Sequence, residues 1–314
     1  MKIAFFTEAA TSHPIGPIQR NHWNARVDVS WQIALKSHHY NLMAELKTEY
    51  DLGIIIVPKN NPKFAFRGFE KNRKMCKQWS CMQEANQTFW QNGSIADQIN
   101  YLNFLSEMNI IFCHNEIDKK YFEGLIPHKK VSVLPSLMID DAIPVEAKKV
   151  PLNRSSCIIG GTMCEWYGGM DSFMIAQEFE ELIYAPSMGR KQADEDLLEQ
   201  IEYLPYMNWS EWMSCLNQFK YGVHLMRTYA AGTFSLNLAA LRIPSIGWNS
   251  LDTQRLLFPE LSFDEGDMNS ARKAAKHLKE NQLFYDHCSE YAFKMYNEIF
   301  SEAEFLRKFD ENFK

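Results

Sequence analysis

Disulfide chemistry has little to work with in this chain. Its seven cysteines are odd in number and scattered, and none falls in a CxxC pair. That excludes a disulfide framework or zinc knuckle and points to a reducing, cytoplasmic setting. Glycine and proline are scarce too, 14 and 12 residues in 314, which excludes a collagenous or linker-rich chain. Long apolar runs are missing. A run such as residues 53–57 falls far short of the ~20 residues that cross a bilayer, so no transmembrane segment is expected. Residues 1–6 are too short for a secretory core, and Glu8 closes them off. An excess of positive charge is also absent: the net charge of −6 excludes a uniformly basic, DNA-coating protein. What is present is ordinary globular material, 46% hydrophobic and 23% charged. The length suggests two domains of ~100–200 residues each.

The patterning alternates between strands and helices. Residues 1–6 read as a buried strand. Val27, Trp31, Ala34 and Leu35 then recur at helical spacing. Strands follow at 52–57, 109–113 and 131–134, with a helix capped by Ser94 among them. Residues 145–151, rich in Val, Lys and Pro, read as a linker. A second series begins with a strand at 157–159 that runs into Gly160 and Gly161. Helices are expected at 170–179, 194–200, 209–219 and 234–241, with strands at 182–185, 201–204, 222–226 and 244–247. Two long helices close the chain. Two such series predict an α/β protein of two Rossmann-like parallel-sheet domains facing a cleft. The expected boundaries are 1–148 and 149–286, with a final helix over about 287–314 packing back on the first domain. Ligands of open parallel sheets bind beyond the carboxyl ends of the strands, so loops just after strands are the candidate sites.

Several segments, in order, resemble the nucleotide-sugar domain of GT-B glycosyltransferases. Residues 131–135 resemble the strand that leads to the interdomain linker. Ile158 to Thr162, then Gly168 to Asp171, resemble the glycine-bearing strand end and the helix start after it. Tyr203 to Tyr206, followed by 209–219, resembles the segment that holds the nucleotide base. Residues 232–240, followed by 244–246, resemble the small-residue turn, helix and Pro-led strand. The likeness covers roughly residues 130–260. It implies a nucleotide-sugar donor, a UDP-sugar foremost, and no required metal or other cofactor.

The chemistry gives these pieces their roles. The leaving diphosphate gathers charge that fixed donors must meet. Gly232 lets backbone approach closely, and a helix starting at about Thr233 turns free N–H groups toward phosphates. Thr233 and Ser235 add hydroxyls. Arg227 is the best placed cation and Arg190 the second. Gly160, Gly161, Thr162 and Tyr206 complete the expected donor set. Where many relatives carry an Arg, a Lys and a ribose-holding acid, this chain has Thr162, Gly168 and Asn237. A neutral amide still hydrogen-bonds a ribose hydroxyl.

The first domain is expected to hold the acceptor. Glu8, Asp28 and His114 are the candidates to take the acceptor proton. His13, Gly16 and Arg20 lie in the loop before the first helix. Residues 58–80 hold seven basic residues against Glu70 alone, a local charge of +6 in a chain of −6. Among them Lys63, Arg67, Lys71, Arg73 and Lys74 interleave with aromatics such as Trp79. Cations can neutralise phosphates while aromatic faces stack on unpaired bases. The segment is therefore expected either to dock DNA, as in phage enzymes that glycosylate hydroxymethylated pyrimidines, or to meet an anionic membrane; a solvated loop is the plain alternative. The functional expectation is a glycosyltransferase whose acceptor is a hydroxymethyl-pyrimidine of DNA. A lipid-linked or surface glycan acceptor, a nucleotide-sugar epimerase and a silent nucleotide-sugar binder are the alternatives.

Overall fold

All five residues of the first strand, β1 (Ile3–Thr7), are buried. A strand covered on both faces loses polar alternation and reads as one apolar run. The computed structural model describes residues 1–8, 18–22, 25, 27–59, 61–84, 87–151, 153–187, 191, 193–229 and 231–314. After β1 come α1 (Val27–Leu35), β2 (His38–Asn41), β3 (Tyr50–Val57), α2 (Pro62–Asn72), β4 (Cys76–Gln83), α3 (Ile95–Glu107), β5 (Ile110–Cys113), α4 (Glu116–Leu125) and β6 (Lys130–Val133). The second series runs β7 (Ser155–Ile159), α5 (Gly169–Ala176), β8 (Ile183–Pro186), β9 (Ile201–Leu204), α6 (Trp209–Leu216), β10 (Phe219–His224), α7 (Thr233–Ala240), β11 (Ser245–Trp248), α8 (Asp252–Leu257) and β12 (Ser262–Phe263). Then α9 (Met268–Glu280), α10 (Gln282–Ile299) and α11 (Glu302–Asp310) close the chain.

The strands form two separate six-stranded sheets, ordered β2-β1-β3-β4-β5-β6 and β12-β11-β10-β7-β8-β9. Every strand pairing is parallel. The two-domain α/β arrangement expected from the patterning is thus the observed one. In the first sheet the strand order reverses between β1 and β3, in the second between β7 and β10. Each reversal opens a crevice at the carboxyl ends of its two strands.

Alternate residues of the first sheet face two cores. Phe6, Ile55, Cys81 and Ile111 meet α2, α3 and α4 through Phe69, Phe104 and Phe122. Phe5, Ile54, Met82 and Phe112 point the other way, into a core shared with α1 and the second sheet. The last helix, α11, enters that core: Phe305 packs on Trp31 with ring centroids 5.6 Å apart, and Phe309 on Phe112 at 6.0 Å. Before it, α10 packs on the second half, where Tyr285 donates its hydroxyl to the Lys220 carbonyl at 3.0 Å.

The structure differs from the sequence expectation in several places: three helices rather than two close the chain, and the single final helix expected over about 287–314 is divided into α10 and α11, capped anew at Ser301. The first sheet holds β2 and β4, which the apolar pattern did not mark. Residues 58–80, with a solvated loop as one reading, fold into α2, a short 3-10 turn (Arg73–Met75) and β4. The helix expected at 194–200 is a 3-10 turn, Ala193–Leu197. No helix among the described residues is long and apolar enough to cross a membrane.

Candidate functional site

The second sheet's crevice lies between the ends of β7 and β10. Gly160 donates its N–H to the Val223 carbonyl at 2.8 Å, which ties the turn after β7 to the neighbouring strand. A Cβ at Gly160 would stand 2.5 Å from the ring of His224, so only glycine lets strand and ring lie this close. His224 is 5% exposed, and neither ring nitrogen has a hydrogen-bond partner among the described residues. Burial pushes its pKa down to about 4, so the ring is neutral at physiological pH. Gly161 follows beneath the ring of Tyr167. Thr162 is buried, with its hydroxyl 3.1 Å from the Cys164 sulfur.

Across the crevice α7 begins. Gly232 precedes it with φ +60°, a left-handed conformation that an L side chain adopts at a cost of roughly 1–2 kcal/mol. The first helical bond runs from Leu236 N–H to the Gly232 carbonyl at 3.4 Å. The N–H groups of Thr233, Phe234 and Ser235 therefore precede the intrahelical ladder and carry the positive end of the helix dipole. Thr233 is exposed at this mouth. Ser235 and Asn237 turn inward. Ser235 donates its hydroxyl to Gln254 Oε1 at 2.7 Å. Asn237, with its amide oriented to satisfy both groups, accepts from Trp212 Nε1 and donates to the Thr233 carbonyl, each at 3.2 Å.

Arg227 stands at the rim. Its backbone N–H donates to the Trp166 carbonyl at 3.1 Å, and its guanidinium donates to Asp171 Oδ2 at 2.6 Å. The Asp171 hydrogen bond holds its pKa above the usual arginine range. Tyr206 is 62% exposed. Arg190 lies outside the described residues, as do His13 and Gly16.

The carboxyl ends of the first sheet's strands present a different set. Glu8 follows β1, Lys59 follows β3 and Glu84 follows β4. Burial and the Glu84 charge push the Glu8 carboxyl up, while Lys59 opposes them. His114 follows β5, its ring 5.6 Å from Trp31 and its Nδ1 enclosed without a partner among the described residues. Burial lowers its pKa to about 4. Asp28 is half-buried in the first turn of α1. Arg20 is spent on a clamp, with Asp141 at 2.6 Å and Glu302 of α11 at 2.7 Å.

The two carboxyl edges touch. Asp252, after β11, accepts the N–H of Glu116, the first residue of α4, at 3.0 Å. Ser136 Oγ donates to the Ala231 carbonyl at 2.7 Å, beside Gly232. Next to the first contact lies Asp118, 5% exposed, with one carboxylate oxygen bonded by Asn115 and the other without a partner among the described residues. Burial raises its pKa to about 7; the Asn115 bond opposes the rise and the Asp252 charge adds to it.

The basic segment does not act as one surface. Because β3 and β4 are parallel, α2 must run back from the carboxyl edge to the opposite edge. Lys59 and Lys63 lie near the cleft end and Arg67 midway. Lys71, Arg73 and Lys74 lie at the far edge. Lys63 pairs with Asp97 at 3.1 Å, Lys71 with Glu45 at 3.4 Å and Arg73 with Glu107 at 2.5 Å. Trp79 is 4% exposed, its indole N–H bonded to the Arg73 carbonyl at 3.1 Å. The expectation that its face stacks on a base is corrected by this burial: Trp79 and Phe69 belong to the core, whereas Phe64 of α2 is exposed. A groove of about 440 Å³ runs between α2 and α3 over Phe66 and Phe104.

Sequence reasoning missed His224, Glu84, Asp118 and Asp252, and read Lys59 only as one cation of the basic run. His224 left a signal, the polar residue that closes the buried end of β10. The Asp118–Asp252 approach left none, because the two residues meet only through the tertiary fold. Among the described residues no three His, Cys, Asp or Glu side chains gather so as to hold a metal ion.

No family model matches the chain, and no curated protein matches it. Solved structures do. An α-glucosyltransferase in complex with UDP and a 13-mer DNA containing a HMU base is 15% identical, with all of both chains covered and a TM-score of 0.66. Anabaena Alr3699/HepE in complex with UDP and glucose is 9% identical over 100% of this chain and 99% of that one, with a TM-score of 0.71. Sucrose-phosphate synthase from Thermosynechococcus elongatus is 10% identical over 99% and 98%, at 0.70. S. aureus TarM, in complex with fondaparinux, α-GlcNAc-glycerol and UDP, is 12% identical over 83% of this chain, which spans 55% of TarM's length, at 0.62. The chain therefore has the two-sheet fold shared by these GT-B glycosyltransferases.

Proposed function

We propose that the protein is a glycosyltransferase that moves a sugar from a UDP-sugar to a hydroxyl acceptor. Residues 149–286 form the donor unit and residues 1–148 the acceptor unit, with α11 tying the chain's end to the latter. The observation that carries this reading is the crevice between β7 and β10. There the glycine turn after β7 and, following β10, Arg227 and then the free N–H groups of α7 come at the carboxyl ends of two adjoining strands. Such donors, fixed before reaction, stabilise a departing diphosphate. Gly160, Gly161, Gly232, Thr233 and Arg227 would contact it. Ser235 and Asn237, bonded inward, would hold α7 in place instead. A neutral His114 and a carboxyl with a raised pKa at Glu8 would face the acceptor. Glu8, whose carboxyl is pushed up by burial and by the Glu84 charge, suits the proton-accepting role.

For the acceptor we propose a hydroxymethyl-pyrimidine of DNA. The support is an end-to-end likeness to an α-glucosyltransferase whose complex holds DNA, together with Lys59 and Lys63 near the cleft end of the first sheet. The test is incubation with a panel of UDP-sugars and DNA carrying hydroxymethylated pyrimidines, followed by nucleoside mass spectrometry. A hexose-shifted nucleoside is the expected product. Hydrolysis or turnover of a UDP-sugar without any DNA product would remove the DNA acceptor, and release of a free epimer would replace the transferase with an epimerase. Binding to the same DNA should weaken steeply with salt; no affinity at low salt would speak against DNA independently of turnover.

A further inference from the structure

We infer that the groove between α2 and α3 is a binding site for a neutral saccharide, separate from the donor crevice. It lies on the outer face of the first sheet, over the core opposite the one shared with the second half, and so does not rest on the glycosyltransferase reading. The two helices run in one direction, because β3, β4 and β5 are consecutive parallel strands and each helix returns from the carboxyl edge. Ion pairs cross the trough at both ends, Lys63–Asp97 at 3.1 Å where the helices begin and Arg73–Glu107 at 2.5 Å where they finish. Lys63 to Arg73 spans about 15 Å at ~1.5 Å per residue. A continuous polymer would have to pass over both pairs, whereas a compact ligand fits between them. The volume of about 440 Å³ lies within the ~300–1,000 Å³ of small-molecule sites.

The walls carry hydrogen-bonding groups that the fold leaves unused. Arg67 and Glu70 stand one turn apart on α2, and Asn100 and Asn103 one turn apart on α3. All four are exposed, and none has a hydrogen-bond or ion-pair partner among the described residues. Arg67 donates, Glu70 accepts and each amide does both, so both walls offer donors and acceptors. The cations Lys63, Arg67 and Arg73 are matched one for one by Glu70, Asp97 and Glu107, which leaves no net charge to attract an ion. A phosphate would face Glu70 and an ammonium group would face Arg67. Sugar hydroxyls, each able to donate and to accept, suit the set. The floor supplies the other half of the chemistry. The half-buried ring of Phe66 packs 5.1 Å from the buried ring of Phe104. The electron-rich face of an aromatic ring suits the C–H face of a pyranose, whose hydroxyls then point outward at the walls.

Saturation-transfer NMR on the full chain with maltose, cellobiose and lactose, each at about 10 mM, tests the assignment. Transfer to the ring C–H protons of at least one disaccharide is expected. The double variant Asn100→Ala/Asn103→Ala removes both amides from an exposed helix face. It is expected to keep the thermal midpoint of wild type and to bind that disaccharide about tenfold more weakly, the effect of two lost hydrogen bonds. UDP is expected not to displace the sugar, because the groove lies apart from the crevice. Transfer to none of the three sugars would overturn the inference. So would wild-type affinity in the double variant, or displacement by UDP, either of which would move the sugar to another place. Tighter binding of glucose 6-phosphate or uridine, weakened by the same substitutions, would overturn it too, by making the groove an anion or nucleobase site. Failure of UDP-sugar turnover would touch only the glycosyltransferase reading and leave the groove's sugar binding standing.

Discussion

Arg227 has 42% of its side chain exposed and is paired to Asp171 at 2.6 Å, with Glu265 3.9 Å away. An exposed ion pair of this kind contributes about 0–1 kcal/mol to folding. The same cation at the rim of the donor crevice would contribute far more to a transition state in which a diphosphate departs. Arg227→Ala is therefore expected to leave the urea midpoint nearly unchanged. It should cut kcat by roughly 10²–10³, the loss seen on removing one fixed oxyanion donor. Steady-state kinetics and denaturation on one preparation check both halves; unchanged turnover would return Arg227 to the role of a surface salt bridge. The residues around it were unevenly legible. Gly232 and Thr233 could be read as a helix start because a glycine before a helix of small residues has few other uses. The inward turn of Ser235 and Asn237 could not be read. Six of the eight residues of α7 are buried, and a helix buried nearly all round has no polar face to show which side meets ligand.

At the scale of elements, α11 binds the end of the chain to its beginning. Phe305 is fully buried against Trp31, and Phe309 against Phe112. Truncating a buried phenylalanine leaves a cavity as well as lost contact, so Phe305→Ala is expected to destabilise by about 3–5 kcal/mol. Urea unfolding followed by tryptophan fluorescence would measure it, with Trp31 as the nearby reporter. A loss below about 1 kcal/mol would mean that α11 is only loosely docked. The helices and strands of the second half were largely visible in the sequence because their apolar runs are bounded by glycine and proline. In the first half, β4 and α2 were hidden by charge. Seven cations crowd residues 58–80, yet Ala65, Phe69 and Trp79 still fall on the buried side. The paired carboxylates Asp97, Glu45, Glu107 and Asp51 come from other segments, so a linear reading sees unbalanced charge where the fold has paired most of it.

The whole molecule turns on how the two carboxyl edges meet, and Asp118 places a titrating group at that contact. Its carboxyl lies beside Asp252, which accepts the Glu116 N–H from the opposite half. Asn115 donates to it, and Glu116, Lys119 and Glu123 lie on its own helix; Arg255, 3.0 Å from Asp252, is the facing cation. The folded pKa of about 7 exceeds the ordinary aspartate value of 3.8, so the folded chain holds a proton that the unfolded chain has released between those limits. Stability from this group is present at pH 4, falls as pH rises toward 7 and is flat above it. Ionisation would also set two carboxylates against each other across the halves, which favours their separation. Asp118→Asn keeps the shape and a neutral side chain. It is expected to raise the thermal midpoint most at pH 8, less at pH 5 and hardly at all below pH 4, and to compact the solution scattering profile at the higher pH. Parallel pH dependence in wild type and variant would place the titration elsewhere. If the halves open for substrate and close for transfer, the same substitution should slow turnover at pH 8 while tightening binding of the donor, because a contact that no longer weakens with pH resists reopening.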